Sequence, residues 1–439
     1  MSSSNLPVSN RRFAINKTTV IAIIFGLALF TATVVATYAA FTSRYPGHND
    51  FLSRWEGARS YWVDGLNPYG DEASFNIQMI IYGHEAQPGE DLGLFVYPFY
   101  TVFLVWPLVY LPYAWAAAIC MVVLEVCLLG AGFLLIQMFK WRPATWLLPF
   151  LMVWLLLFYP AMRGLLLGQL GLLVYALEIL TLWALAKDHD RIAGVALAIS
   201  TFKPQMGYLI VPFLLLWALR YRRWEFVRAF VIAFGILLAA SFLLVPSWFG
   251  DWVKQVTQYP EYTQLGSPVW IVSHWGELGI DPATGLWGLR RQGIGDVLEV
   301  ILTASCYLLV LWAWVEVLLR KKTERLMWTI ALTLVITHLV APRTASPHFV
   351  TFILPLVFLA KVATEKNRRR GNRYVGLALL TLFILPWVHF FYTVVGEFEH
   401  PTVQVPLPFL FLAIMLFTYR LWWERPSLIQ SEVVGSHAI

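Results

Sequence analysis

Charge is what this chain has least of. Only 13% of its 439 residues are Asp, Glu, Lys or Arg, about half the share of an ordinary soluble domain, so a water-facing surface of normal size is excluded. Cysteine is nearly as scarce. The three present, Cys120, Cys127 and Cys306, all fall in apolar stretches, and their spacing offers neither a disulfide framework nor a metal cluster. No cleavable leader is expected, because the first apolar run is too long for one and no small-residue cleavage site follows it. Internal repeats and low-complexity tracts are not evident. The net charge of +6 does not mark a nucleic-acid binder, since the basic residues sit in short loops between apolar runs rather than on one patch.

What is abundant is hydrophobicity: 59% of residues are apolar and the mean hydropathy is +0.65. A helix of about 20 such residues crosses the roughly 30 Å of a bilayer's hydrocarbon. The runs from Thr18 to Phe41, Ala114 to Met138 and Thr381 to Val395 meet that requirement. Trp141, Trp146, Trp217, Trp224, Trp422 and Trp423 cluster near run ends, as an aromatic belt does. The fold class expected is therefore all-α and polytopic, with about twelve transmembrane helices. Spans are placed near 18–42, 96–112, 113–138, 144–161, 165–186, 192–219, 226–245, 297–319, 326–341, 348–361, 374–395 and 405–420. These form one membrane domain, 18–420, between tails 1–17 and 421–439.

Arg11, Arg12, Lys17, Arg220 to Arg228, Arg320 to Arg325, Lys361 to Arg373 and Arg420 to Arg425 fall together on one side of this scheme. By the positive-inside rule that side is cytoplasmic, with both termini. The long loops 43–95 and 246–296, each richer in Asp and Glu than in Lys and Arg, face the other way. The stretch 139–191 fits badly: Lys140, Arg142, Lys187 and Arg191 come out on the acidic side and Arg163 on the basic one. A re-entrant hairpin is the alternative there.

The first outer loop carries the best candidate for chemistry. Phe51, Trp55, Ala58 and Trp62 recur at helical spacing with Arg54, Glu56 and Arg59 on other faces, which predicts an amphipathic helix on the membrane surface. Asn49 is the expected N-cap and puts Asp50 in the first turn, where the helix dipole favours a carboxylate. Asp50 then serves either as a base or merely as support for the helix end. The turn Gly65-Leu66-Asn67-Pro68-Tyr69-Gly70 ends the helix. A second interfacial helix is predicted over Ser74 to Tyr82, and Val96-Tyr97-Pro98 leads back into the bilayer. Lys203, mid-span beside Pro204, either lines a polar cavity or pairs with Glu178 or Glu125. His338 and His389 read as packing residues.

Taken in order, Asp50, Gly65-Leu66-Asn67-Pro68-Tyr69, Val96-Tyr97-Pro98, Pro107-Leu108, Gly168-Gln169, Ala193-Gly194, Phe202-Lys203-Pro204 and Ser346-Pro347-His348-Phe349 resemble glycosyltransferase family 87, of the GT-C superfamily. The resemblance covers roughly residues 45–355, and departs from the family's Tyr-Pro-Pro at Phe99 and from its Gly-Gln-x-Asn, where Gly171 and Leu172 follow and no Asn is present. It implies a GT-C-like membrane enzyme, in a bacterial cytoplasmic membrane, that moves a sugar with inversion from a polyprenyl-phosphate carrier to a glycan or lipid hydroxyl on the extracytoplasmic side. Asp50 would be the base. Lys203, Arg343 and His348 would offset charge on the leaving phosphate, Tyr97 and Gln169 would contact sugar hydroxyls, and neither cofactor nor metal would be required. Tyr97 as an interface anchor, Gln169 as a turn residue and Arg343 as an anchor remain the plainer alternatives. The rival functions are a transporter or channel, and a lipid-linked oligosaccharide polymerase or ligase; only the family reading needs Asp50.

Overall fold

The computed structural model describes residues 17–45, 50–87, 90–262, 266–280, 287–291, 293–394, 399–424 and 429. Arg11, Arg12, the proposed cap Asn49, Arg425 and most of both tails lie outside these residues. Among those described, six helices are long and apolar enough to cross a membrane: Lys17–Thr42, Tyr113–Met138, Trp224–Leu244, Gly295–Leu318, Ser346–Lys366 and Arg368–Thr393. A seventh is gained if Leu147–Leu157 and Tyr159–Leu166, bent by 50° at Phe158, count as one span. The chain is thus an all-α integral membrane protein, and six or up to seven of the twelve expected spans are found among the described residues.

Helix α1 (Lys17–Thr37) runs on through a π-turn to Thr42 and packs beside α5 (Tyr113–Met138). Tyr38 stacks on Trp115 at 3.8 Å and the Thr42 hydroxyl donates to the carbonyl of Ala114 at 2.8 Å. Everything between these two helices lies at one end of the bundle: α2 (Phe51–Trp62), α3 (Asp71–Tyr82) and the short α4 (Thr101–Val105). No span forms over 96–112, because Pro98, Pro107 and Pro112 break that run into turns. The surface-lying role of α2 also fails. Arg54, Glu56 and Ser60 are buried along with Phe51, Leu52, Trp55 and Ala58, so the helix is enclosed by protein on several sides.

The stretch that fitted badly makes two excursions into the bundle and back. Helices α6 (Leu147–Leu157) and α7 (Tyr159–Leu166) ascend, Gly168 turns the chain at φ +61°, and α8 (Gly171–Ala186) descends. Then α9 (Asp190–Ser200) ascends, the chain breaks at Phe202-Lys203-Pro204, and α10 (Pro204–Gly207) and α11 (Ile210–Arg220) return it. That α9 and α11 form a hairpin rather than one span 192–219 follows from the ion pairs of Arg223 with Asp188, at 3.0 Å, and with Asp190. Gly194 lets α9 touch α12 (Trp224–Leu244); a Cβ there would sit 2.4 Å from the Phe226 carbonyl oxygen.

These hairpins restore the charge rule. The end carrying Asp190 and Arg223 continues through the Arg220 hydrogen bond to the Leu318 carbonyl at 2.9 Å and Arg325 over Trp423 at 3.7 Å. It extends through Phe358 stacked on Trp422 at 3.7 Å to Trp141 hydrogen-bonded to Thr364 at 2.8 Å. Lys140, Arg142, Lys187 and Arg191 therefore join the other basic loops. Arg163 moves to the opposite end, where its charge acts on Glu399.

At that opposite end lie α13 (Trp248–Tyr262), α14 (Pro268–Ser273) and a hairpin of β1 (Leu278–Ile280) and β2 (Trp287–Leu289), in register Leu278 to Leu289, and α13 packs on the loop between α1 and α5. Asn67 donates to Asp251 at 3.0 Å, Gln255 to the Tyr69 carbonyl at 3.1 Å and Trp252 to that of Val96 at 3.3 Å. Helix α15 (Gly295–Leu318) descends and α16 (Leu326–Val340) ascends through the core. Every residue of α16 is buried, as befits a helix apolar all round. A 3-10 turn, Ser346–Phe352, leads into α17 (Ile353–Lys366), α18 (Arg368–Thr393), α19 (Pro406–Phe417) and α20 (Tyr419–Trp423). Large side chains such as Phe25, Leu243, Val300 and Tyr392 point outward from α1, α12, α15 and α18, an apolar perimeter that water would not tolerate and lipid does.

Candidate active site

The tips of both hairpins, the start of α2 and the turn before α17 meet beneath the outer loops. Asp50 stands at the cap position of α2, one residue earlier than expected, and its side chain does not cap the helix. Instead its carboxylate accepts from the Gln169 amide. The Gln169 carbonyl in turn accepts from the Lys203 ammonium. One amide thus bridges a carboxylate and a buried cation, and its orientation follows from what each neighbour can donate or accept. Lys203 is only 2% exposed; its partner is Gln169, not Glu178 or Glu125.

The backbone explains the convergence. Gly168 supplies the left-handed turn that sets Gln169 at the hairpin tip. Pro204 opens α10 and leaves Lys203 in extended backbone at φ −125°, so the ammonium projects from a helix break. Tyr97 forms one wall. Its ring lies 4.5 Å beneath the Arg54 guanidinium and 5.8 Å from the Lys203 ammonium, and its carbonyl accepts from the Tyr69 hydroxyl at 2.6 Å. Tyr97 is buried rather than anchored at a membrane interface. The neighbouring Tyr100 donates to the Thr201 carbonyl at 3.0 Å, joining the outer loop to the second tip.

His348 closes the far side. Its Nδ1 accepts from the Ala345 backbone N–H at 3.1 Å, which places the proton of the neutral ring on Nε2. That Nε2 is buried and has no hydrogen-bond partner among the described residues. A Cβ built on Gly171 would lie 3.2 Å from the His348 ring and 3.4 Å from the Lys203 nitrogen, so the glycine lets the start of α8 approach both groups closely. Arg343 occupies the preceding turn, half-buried, with left-handed backbone at φ +56°.

Two groups escaped the sequence reading. Arg54 lies one turn after Asp50 and donates to its carbonyl at 2.7 Å; the i, i+4 spacing was visible, but not the burial. Asp91, whose charge reaches both Asp50 and Arg54, comes from the loop after α3 and left no spacing signal.

The sequence profile of glycosyltransferase family 87 matches residues 95–342, more than half of the chain. The chain belongs to glycosyltransferase family 87. It is accordingly a membrane glycosyltransferase. Tyr97, Gln169 and Lys203 fall within the matched region of this family 87 protein; Asp50 and His348 flank it and are joined to it by the contacts above. No curated protein and no solved structure matches the chain.

Proposed function

We propose that this family 87 transferase moves a sugar, with inversion, from a polyprenyl-phosphate carrier to an acceptor hydroxyl at the extracytoplasmic face. The observation that carries the reading is the Asp50, Gln169, Lys203 relay: a base and a cation held a fixed amide apart. The acceptor hydroxyl loses its proton to Asp50 as its oxygen bonds to the anomeric carbon. The bond from that carbon to the phosphate oxygen breaks on the opposite face, and the phosphate leaves with the electron pair. Lys203 and the His348 N–H face the charge that develops. With this ammonium and this N–H donor in place, no divalent metal is expected, and activity should survive chelation by EDTA.

An apolar groove of about 460 Å³ suits the carrier's tail. Pro98, Tyr100, Thr201, Pro204, Phe234 and Trp252 are among its walls, and Thr201 and Pro204 flank Phe202 and Lys203. An isoprenoid in the groove would run along the helix break that carries Lys203. The basic loops at the other end of the bundle favour a cytoplasmic location for that end and so an extracytoplasmic site in a bacterial inner membrane.

The test is incubation of purified protein with a panel of polyprenyl-phosphate sugars and membrane lipid extract, read by mass spectrometry for one added hexose or pentose. Asp50→Asn should lower the rate by about 10² to 10⁴. Absence of product with every donor defeats the proposal and returns transport to the front, whereas full activity in Asp50→Asn rules out Asp50 as the base.

A further inference from the structure

Helix α16 places a second imidazole behind His348. His338 is fully buried, its ring 6.0 Å from that of His348 and inclined by 29°. Phe352 closes another side at 6.1 Å. Neither ring nitrogen of His338 has a hydrogen-bond partner among the described residues, and neither does Nε2 of His348. A neutral imidazole always holds one N–H donor and one lone pair. Burying both unmatched forfeits their hydration with nothing in return, so a histidine that only packed here would be worse than a phenylalanine. Lys203 is within electrostatic reach of both rings.

We propose that His338 is a binding residue of the same pocket, its N–H donating with that of His348 and the Lys203 ammonium to the non-bridging oxygens of a single phosphate. The inference rests on the carrier-phosphate reading above and makes it more specific. Two N–H donors that lack partners among the described residues, on rings 6.0 Å apart and within electrostatic reach of one ammonium, call for an anion offering several acceptors within a small radius. A phosphomonoester does this; a water molecule offers acceptors but no charge to set against the ammonium. The phosphate of a lipid and free phosphate share that chemistry, and the experiment separates them.

Wild type, His338→Phe and His338→Asn are reconstituted in nanodiscs, and binding of decaprenyl phosphate, decaprenol and inorganic phosphate is followed by tryptophan fluorescence. His338→Phe keeps the ring's shape without its nitrogens; His338→Asn keeps an N–H on a shorter stem. Loss of one donor to an anion predicts about tenfold weaker binding of decaprenyl phosphate by His338→Phe, partial recovery in His338→Asn, and unchanged binding of decaprenol by both. Wild-type affinity for decaprenyl phosphate in His338→Phe overturns the assignment and leaves His338 a packing residue. Should His338→Phe fail to fold, the Asn variant decides alone: decaprenyl phosphate binding weakened relative to decaprenol supports the proposal, and equal loss for both ligands refutes it. If wild type itself does not distinguish decaprenyl phosphate from decaprenol, the carrier-phosphate reading fails and this inference with it. If it prefers inorganic phosphate to both lipids, the pocket serves a free anion, and only the lipid part is lost.

Discussion

Replacing Gly171 by alanine separates the site from the fold more cleanly than removing any charged residue. The added methyl would lie 3.0 Å from the Met206 sulfur, 3.2 Å from the His348 ring carbon and 3.4 Å from the Lys203 nitrogen. Met206 and Lys203 end in flexible chains and can retreat a few tenths of an ångström; His348 is pinned by the Ala345 N–H. Gly171 opens α8 in ordinary helical backbone, where Gly→Ala is worth about 0.4–1 kcal/mol of stability through the unfolded chain. That gain offsets the local crowding, so the melting temperature should hold or rise slightly. Activity should not. The methyl occupies the space shared by the ammonium and the imidazole, and losing one charge-assisted hydrogen bond to an anion there costs about 1.5–3 kcal/mol. That corresponds to roughly a 10- to 150-fold drop in kcat/KM. The assay pairs differential scanning fluorimetry in detergent with donor-dependent sugar transfer. Wild-type kcat/KM in a well-folded Gly171→Ala would refute the claim that this space receives the reacting phosphate.

Gly194→Ala tests the hairpin instead, because its Cβ meets backbone, 2.4 Å from the Phe226 oxygen and 2.7 Å from the Phe230 nitrogen; helices cannot yield as side chains do, and a loss of about 1–3 kcal/mol should lower the melting temperature by several degrees. No shift would mean that α9 and α12 are not so close. Glu399 accepts from Tyr159 of α7 and, at 3.1 Å, from Ser346, tying the helix that leads to Gln169 to the turn that carries His348. Glu399→Ala orphans both hydroxyls at about 1–3 kcal/mol and should reduce kcat, whereas Glu399→Gln retains an acceptor and should lose less; equal effects from the two would show the brace to be unimportant.

The membrane class and the order of the site residues were legible because hydropathy and side-chain identity are local properties. The motifs mark Asp50, Tyr97, Gln169, Lys203 and His348 as candidates, though Asp50 is the cap of its helix rather than a first-turn residue. What sequence could not supply was direction. An apolar run of 28 residues at 192–219 reads as a span whether the chain crosses or doubles back, since a break at Pro204 interrupts helix geometry without altering hydropathy. The misplaced charges of Lys140, Arg142, Lys187 and Arg191 were the sign of error, and they come right once both excursions return to the basic end. Burial of Arg54 escaped for a related reason: periodicity assigns a helix one wet face, and α2 is enclosed on several.

The two turned-back hairpins also account for how charge is tolerated at this depth. A continuous helix would satisfy every backbone group internally and offer a phosphate nothing but side chains. Breaking the chain at Gly168 and at Pro204 gives the interior helix starts instead. Helix α8 begins at Gly171, beside Lys203 and His348, and its 16 residues direct the positive end of their dipole toward that cluster. Helix α2 begins immediately after Asp50, where the same effect favours the ionised carboxylate that a base requires. The arrangement is consistent only if Asp50 and the leaving anion occupy different ends of it, since two negative charges cannot share one helix start in a low-dielectric site. Gln169, donating to Asp50 and accepting from Lys203, is the spacer that keeps them apart. Gln169→Glu would put a third negative charge between them, pairing with Lys203 and repelling Asp50, and it should therefore abolish transfer although the side chain's shape is unchanged. Transfer at the wild-type rate in Gln169→Glu would mean that the relay does not set the geometry of the reaction.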